Sequence, residues 1–173
     1  MQKFTKAALL LASLLLLLPA LANASATADE NDKDRRGSRL HRERLEVGRA
    51  LIEVQSSNWQ SVVPYYTDDI EYHDAIVDIY GIESMAAFLG QLFGSSPDLV
   101  TTIEDETLIN GVYSSAWTMV GQFAGVPYSA KGISIIKFRE RSAQVYYQRD
   151  YYSENDIMIN IPGLDEAAIG FRT

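Results

Sequence analysis

The chain has 173 residues, 15 of them basic and 23 acidic, for a formal net charge of −8, and it has no cysteine. A surface that acidic is repelled by phosphate backbones and by anionic lipid, which argues against nucleic acid and against membrane binding through basic residues. Without cysteine there is no thiol nucleophile, no zinc–thiolate centre and no disulfide, so burial alone must stabilise the fold.

Lys3 and Lys6 precede an apolar run, Ala7 to Leu18, that is short for a bilayer span, and small residues follow it up to Ala26. The pattern predicts a cleavable signal peptide over residues 1–24, cut between Ala24 and Ser25. It therefore predicts a periplasmic or secreted protein with no membrane contact after cleavage. No cysteine follows the run, so a lipoprotein anchor is excluded. Cleavage removes only Lys3 and Lys6 among the charges, leaving 149 residues with 13 basic and 23 acidic side chains, enough for one domain with a sizeable core.

Residues 25–39 are small and charged, with Asp29, Glu30, Asp32, Lys33, Asp34, Arg35 and Arg36 in close succession, and read as a mobile leader. The domain is expected over 40–173. From Leu40, Val47, Ala50, Leu51 and Val54 form one helical stripe. Ser57-Asn58 is expected to cap a short second helix carrying Trp59, Val62 and Val63, with Pro64 near its end. Asp68-Asp69 reads as a solvated turn before a strand from Ile70 to His73, and Ile76 to Tyr80 as a second strand. Ile82, Met85, Leu89 and Leu92 mark a helix stopped by Gly94-Ser95-Ser96-Pro97.

Beyond Pro97 the period changes to two. Leu99 to Ile109 and Val112 to Val120 flank Asn110-Gly111, a hairpin signal because both residues tolerate positive φ. Lys131 to Phe138 and Ala143 to Tyr152 follow, separated from their neighbours by turn-rich segments at Gly121–Pro127 and Arg139–Ser142. Glu154 onward holds a brief apolar segment, Ile157 to Ile161. Helices first and a long meander afterwards predict an α+β fold, a cone in which N-terminal helices pack on a strongly curved mixed or antiparallel β-sheet. The apolar interior of such a cone would hold a small ligand.

The last strand carries the chemistry. Period two places Tyr146, Gln148, Asp150 and Tyr152 on one face and Val145, Tyr147, Arg149 and Tyr151 on the other. Asp150 then sits among aromatic and amide groups, where burial would raise its pKa and strengthen it as a base. It could equally pair with Arg149 or Arg141 at an exposed strand end. His73 is one of two histidines and could carry a proton near neutral pH, or could be a polar strand-end residue. Asp74, on the opposite face from His73, is the alternative base, or the start of a turn. Tyr66, Tyr72, Trp117 and Tyr146, with Gln148, could line a cavity and orient a polar group, or could simply pack in the sheet. His73, Asp74 and Asp78 lack a second ordered histidine, so no metal is expected.

Trp59, the run Tyr65-Tyr66-Thr67-Asp68-Asp69-Ile70-Glu71-Tyr72-His73-Asp74, Gly81-Ile82-Glu83, Gly132 and Arg149-Asp150-Tyr151-Tyr152 together resemble the nuclear transport factor two-like superfamily. Within it the chain is most similar to the SnoaL-type polyketide cyclase group, over about Leu45 to Asn160. The resemblance implies the cone fold, a homodimer through the outer face of the sheet, and a pocket for a small apolar or aromatic molecule. It implies either cofactor-free proton transfer (cyclisation, isomerisation or hydration) or a non-catalytic binding module. Glu71-Tyr72-His73-Asp74 resembles the strand end that carries the base aspartate of ketosteroid isomerases. Arg149-Asp150-Tyr151-Tyr152-Ser153 resembles a catalytic segment of limonene-type epoxide hydrolases, with Gln148 and Ser153 departing from it and with no Arg or carboxylate on Val112 to Val120. In SnoaL-type cyclases the catalytic aspartate falls in or just after this strand, at Asp150 or at the position of Ser153.

Overall fold

The computed structural model describes residues 35–123, 125–153 and 156. The expected signal peptide, the expected leader up to residue 34 and the apolar segment Ile157 to Ile161 lie outside the described residues. Helix α1 runs over 35–52, so helix already occupies positions 35–39 that the charge pattern assigned to a leader. Arginine is a good helix former, and charge alone does not prevent a helix from extending. The compact unit that carries the sheet begins at Leu40.

Val47, Leu51 and Ile52 of α1 are buried, and Val54 stays buried just past the helix end. The helix comes close to the sheet because Gly48 faces the Tyr113 ring, where a Cβ would stand 2.7 Å from a ring carbon. Arg44 donates through Nε to the Ser142 carbonyl at 3.0 Å and through a terminal nitrogen to the Glu140 carbonyl at 2.8 Å. It thereby ties α1 to the final turn of the meander.

Helix α2, Trp59–Val62, continues as a 3₁₀ turn over Val63–Tyr65 with Pro64 in its first turn, where its missing N–H costs nothing. Asn58 does not cap α2 with its side chain, because its Oδ1 accepts from the Gln55 N–H at 2.8 Å and closes the preceding turn. Strand β1 spans Tyr66–His73, four residues longer at its start than the alternation suggested. Tyr66 and Thr67 are buried, Asp68 and Asp69 exposed, and Ile70 buried again. The pairing of β1 shifts between Tyr66 and Glu71, and that irregularity turns the two aspartates outward inside a strand rather than in a turn.

Strand β2, Asp78–Tyr80, leads into helix α3, Ile82–Ser95, which buries Met85, Leu89 and Phe93. Strands β3 (Val100–Ile109), β4 (Val112–Phe123), β5 (Val126–Phe138) and β6 (Val145–Tyr152) follow. Asn110 at φ 51° and Gly111 at φ 75° form the β3–β4 turn. Strand β5 begins five residues before the expected Lys131, because β4 and β5 pair along their whole length to Phe123↔Val126. The sheet order is β2-β1-β6-β5-β4-β3, parallel only between β1 and β6. Among the described residues, helices α1, α2 and α3 on this open mixed sheet make the α+β cone.

The close fit at the centre of the sheet depends on one missing side chain. Trp117 and Gly132 are directly paired, and the indole lies across the glycine so that a Cβ there would stand 2.3 Å from it. Overpacking of this kind typically costs about 1–3 kcal/mol, so Gly132→Ala should lower the urea midpoint accordingly and shift the tryptophan emission. An unchanged midpoint with unchanged emission would show that the ring is free to move aside.

Candidate functional site

Helix α3, the end of α1 and the inner face of the sheet line a partly open cavity of about 450 Å³. Met85, Phe88 and Leu89 supply its apolar helical wall, and Trp117 and Tyr66 stand on the sheet side. Asp150 and Asp74 form its polar end. No lysine, arginine or histidine lines it among the described residues.

Asp150 is held by three side chains from three positions of the sheet. Ser134 donates to Oδ1 at 2.6 Å, Tyr72 to Oδ2 at 3.0 Å, and the Gln148 amide reaches both oxygens at 3.3 Å. The strand register explains the set: Ser134 is paired with Asp150, and Tyr72 with Gln148. Each donor is itself oriented. The Trp117 indole N–H donates to Ser134 Oγ at 2.8 Å, so the hydroxyl hydrogen of Ser134 is left for Asp150. Tyr66 donates to Gln148 Oε1 at 3.0 Å, which turns the amide nitrogen toward the carboxylate.

Even with these donors, burial pushes the Asp150 carboxyl up to about 6, opposed by the hydrogen bonds and reinforced by the charge of Asp74. Burial first, and the neighbouring carboxylates second, hold Tyr66, Tyr72 and Tyr152 above the usual phenol range, so all three remain hydrogen-bond donors. Asp74 Oδ1 accepts the backbone N–H groups of Ile76 and Val77, each at 2.7 Å, in a tight turn. Its Oδ2 faces the cavity and meets Tyr72 at 3.2 Å and Tyr152 at 3.3 Å.

Asp150, Asp74, Tyr66, Tyr72, Trp117 and Gln148 therefore meet on one cavity. Two expected residues do not. Tyr146 is turned away because the β5–β6 register shifts between Lys137 and Phe138, pairing Lys137 with Tyr147 and Phe138 with Val145. The bulge makes Tyr146 the unpaired residue, puts Val145 in the core, and leaves the Tyr146 ring beneath Arg139. His73 points to the other face of β1, where its Nδ1 bonds Asp78 and its ring packs on Tyr80 and Tyr147. Strand alternation already separates His73 from Asp74 and Tyr72, but it cannot foresee a bulge in another strand. Ser134 and Tyr152 complete the site and were absent from the expected set. Ser134 becomes visible only once its partner across the sheet is known. Among the described residues no group of three His, Cys, Asp or Glu could hold a metal.

Residues 47–144 match the SnoaL-like domain family. The chain belongs to that family. No curated protein matches its sequence. Among solved structures, a SnoaL-like protein from Jannaschia sp. CCS1 superposes with a TM-score of 0.61 at 18% identity, over 72% of this chain and 94% of that one. An LEH-like epoxide hydrolase from M. tuberculosis gives 0.60 at 15% identity, over 77% and 98%. A phenazine biosynthesis-related protein from Pseudomonas aeruginosa gives 0.63 at 10% identity, over 71% and 87%. At these identities the shared property is the fold.

The raised carboxyl has a consequence for stability. A part-buried aspartate whose pKa is higher folded than unfolded costs nothing where both states are protonated, below about 3.9, and its full cost appears above about 6. The stability of Asp150→Asn relative to the parent should therefore rise by about 2 kcal/mol between pH 4 and pH 8, read from urea melts at each pH. A difference that stays flat across that range would contradict the assigned burial cost.

Proposed function

We propose that this SnoaL-like domain binds a small, largely apolar or aromatic molecule in the α3–sheet cavity, and that Asp150 is the base in a cofactor-free proton transfer of cyclisation, isomerisation or hydration type. The observation that carries this reading is a carboxyl at the polar end of an otherwise apolar cavity, shifted to about 6 by burial. A base poised just below neutral pH is ionised in use yet stronger than an ordinary aspartate. Asp74 has its Oδ1 committed to backbone N–H groups and serves beside it. Tyr66, Trp117 and Gln148 orient the site and carry no proton themselves.

Asp150→Asn keeps shape and removes the base. Against a panel of small aromatic ketones, enones and epoxides, turnover should fall about 10²–10⁴-fold while binding survives, and the parent rate should rise with pH through about 6. Full activity in Asp150→Asn with none in Asp74→Asn would move the base to Asp74. A second reading, a non-catalytic binding module, is favoured by one feature: β4 presents no arginine and no carboxylate between Val112 and Val120. Under that reading both variants change affinity and no compound turns over.

Two further expectations belong to the same reading. The outer face of the sheet exposes Val120 at 45%, Ile133 at 51% and Tyr151 at 48%, an apolar face suited to a second copy of the chain. Light scattering at micromolar concentration should give a dimer mass, and a monomer would refute it. Export is expected from residues 1–24, so the mature N-terminus should fall between residues 23 and 27 by mass spectrometry; an intact Met1 on a membrane-bound form would refute it.

A further inference from the structure

We propose that Tyr72 is a proton bridge, carrying the proton collected by Asp150 across to Asp74 and so to solvent at the 74–77 turn. The inference deepens the reading of Asp150 as a base and rests on it.

The geometry is a shortage of hydrogens. Tyr72 has one O–H, yet its oxygen stands 3.0 Å from Asp150 Oδ2 and 3.2 Å from Asp74 Oδ2. One hydrogen serves one carboxylate at a time. When Asp150 is ionised, the Tyr72 hydrogen belongs to Asp150. When Asp150 has taken a proton, its own O–H donates to the Tyr72 oxygen, and the phenol hydrogen turns to Asp74.

The other branches around Asp150 lead nowhere. Ser134 ends at the Trp117 indole, which only donates, and Gln148 ends at Tyr66 through an amide that does not exchange a proton with a carboxyl at these pH values. Among the described residues, only the Tyr72 branch reaches a second carboxylate. Asp74 is placed to receive: two backbone N–H groups fix its Oδ1, its Oδ2 meets only the hydroxyls of Tyr72 and Tyr152, and the adjoining Ala75 and Ile76 are exposed. The other titratable groups facing the pair are Tyr66 from β1, Tyr128 from β5 and Tyr152 from β6, whereas α3 and β4 present Phe88, Met85, Trp117 and Met119 without charge.

The step balances without a co-reactant. The Asp150 O–H bond breaks as a new O–H bond forms on Tyr72, the original Tyr72 O–H breaks as one forms on Asp74 Oδ2, and Asp74 then releases the proton to water. The reverse sequence re-protonates Asp150, so base and acid turns can follow one another with the ligand still enclosed. Tyr72 and Asp74 are positioning residues here, because they act through Asp150.

The test needs no ligand, so it stands apart from whether the cavity is catalytic. Carboxyl carbons of ¹³C-aspartate-labelled protein are followed by NMR from pH 3 to pH 9. In the parent protein the Asp74 resonance should show an inflection at the same pH as the Asp150 step, near 6. In Tyr72→Phe, which keeps the ring packed on Phe88, that inflection should shrink to the part carried by direct repulsion between the two carboxylates, and the Asp150 midpoint should move upward with the loss of a donor. An Asp74 curve that ignores the Asp150 step, or coupling undiminished in Tyr72→Phe, overturns the bridge. Should Tyr72→Phe fold poorly, Asp74→Asn should instead lower the Asp150 midpoint below that of the parent, since a like charge is removed and Tyr72 serves Asp150 alone. An unchanged midpoint there also overturns it.

Discussion

A carboxylate facing an apolar interior constrains the whole inner face of this sheet. Asp150 stands in β6, between β1 and β5, and its charge is uncompensated by any cation lining the cavity among the described residues. Removing an unpaired carboxylate from water is expensive, and neutral donors offset that cost only in part. The donors therefore form a shell two layers deep, in which Trp117 orients Ser134 and Tyr66 orients Gln148. Ser134 lies directly opposite Asp150 and Tyr72 opposite Gln148, while Trp117 reaches Ser134 from β4 and Tyr66 reaches Gln148 from the start of β1. The sheet supplies every hydrogen-bond donor to the group, and α3 supplies apolar wall.

The same constraint accounts for the packing at the sheet centre. Trp117 can reach Ser134 only by lying across its neighbour Gly132, where any larger residue would collide. Close approach of α1 at Gly48 likewise seats Tyr113, whose hydroxyl bonds Glu106 at 2.9 Å. Arg49 from α1 bonds the same carboxylate at 2.8 Å, so helix and sheet meet on a shared acceptor. Exposed ion pairs of this kind contribute little on their own, about 0–1 kcal/mol, and burial of the apolar core around them is the larger stabilising contribution.

Much of this was legible in the sequence. The shift from helical spacing to period two at Pro97, the Asn110-Gly111 turn and the stripe of α3 lead to an α+β cone, and alternation alone places Gln148, Asp150 and Tyr152 on one face. What alternation cannot carry is an interruption. The bulge at Tyr146 and the irregularity between Tyr66 and Glu71 both lie where β6 pairs, parallel with β1 on one side and antiparallel with β5 on the other, so no single strand's pattern shows them. Tyr146 was misplaced and Asp68-Asp69 read as a turn for that reason. His73 drew interest as a histidine, but its opposite-face position beside Asp78 takes it out of the cavity. Ser134 carried no signal of its own, since this serine becomes a donor only because its cross-strand partner is an acid facing the cavity.

The claim on which the account depends is that burial, against three donors, holds Asp150 well above an ordinary aspartate. Site-resolved ¹³C NMR titration of its carboxyl carbon in the unliganded protein measures this directly. The account predicts a midpoint near 6. A midpoint at the ordinary aspartate value of about 3.9 would show a solvated carboxylate and remove the basis for assigning it as the base.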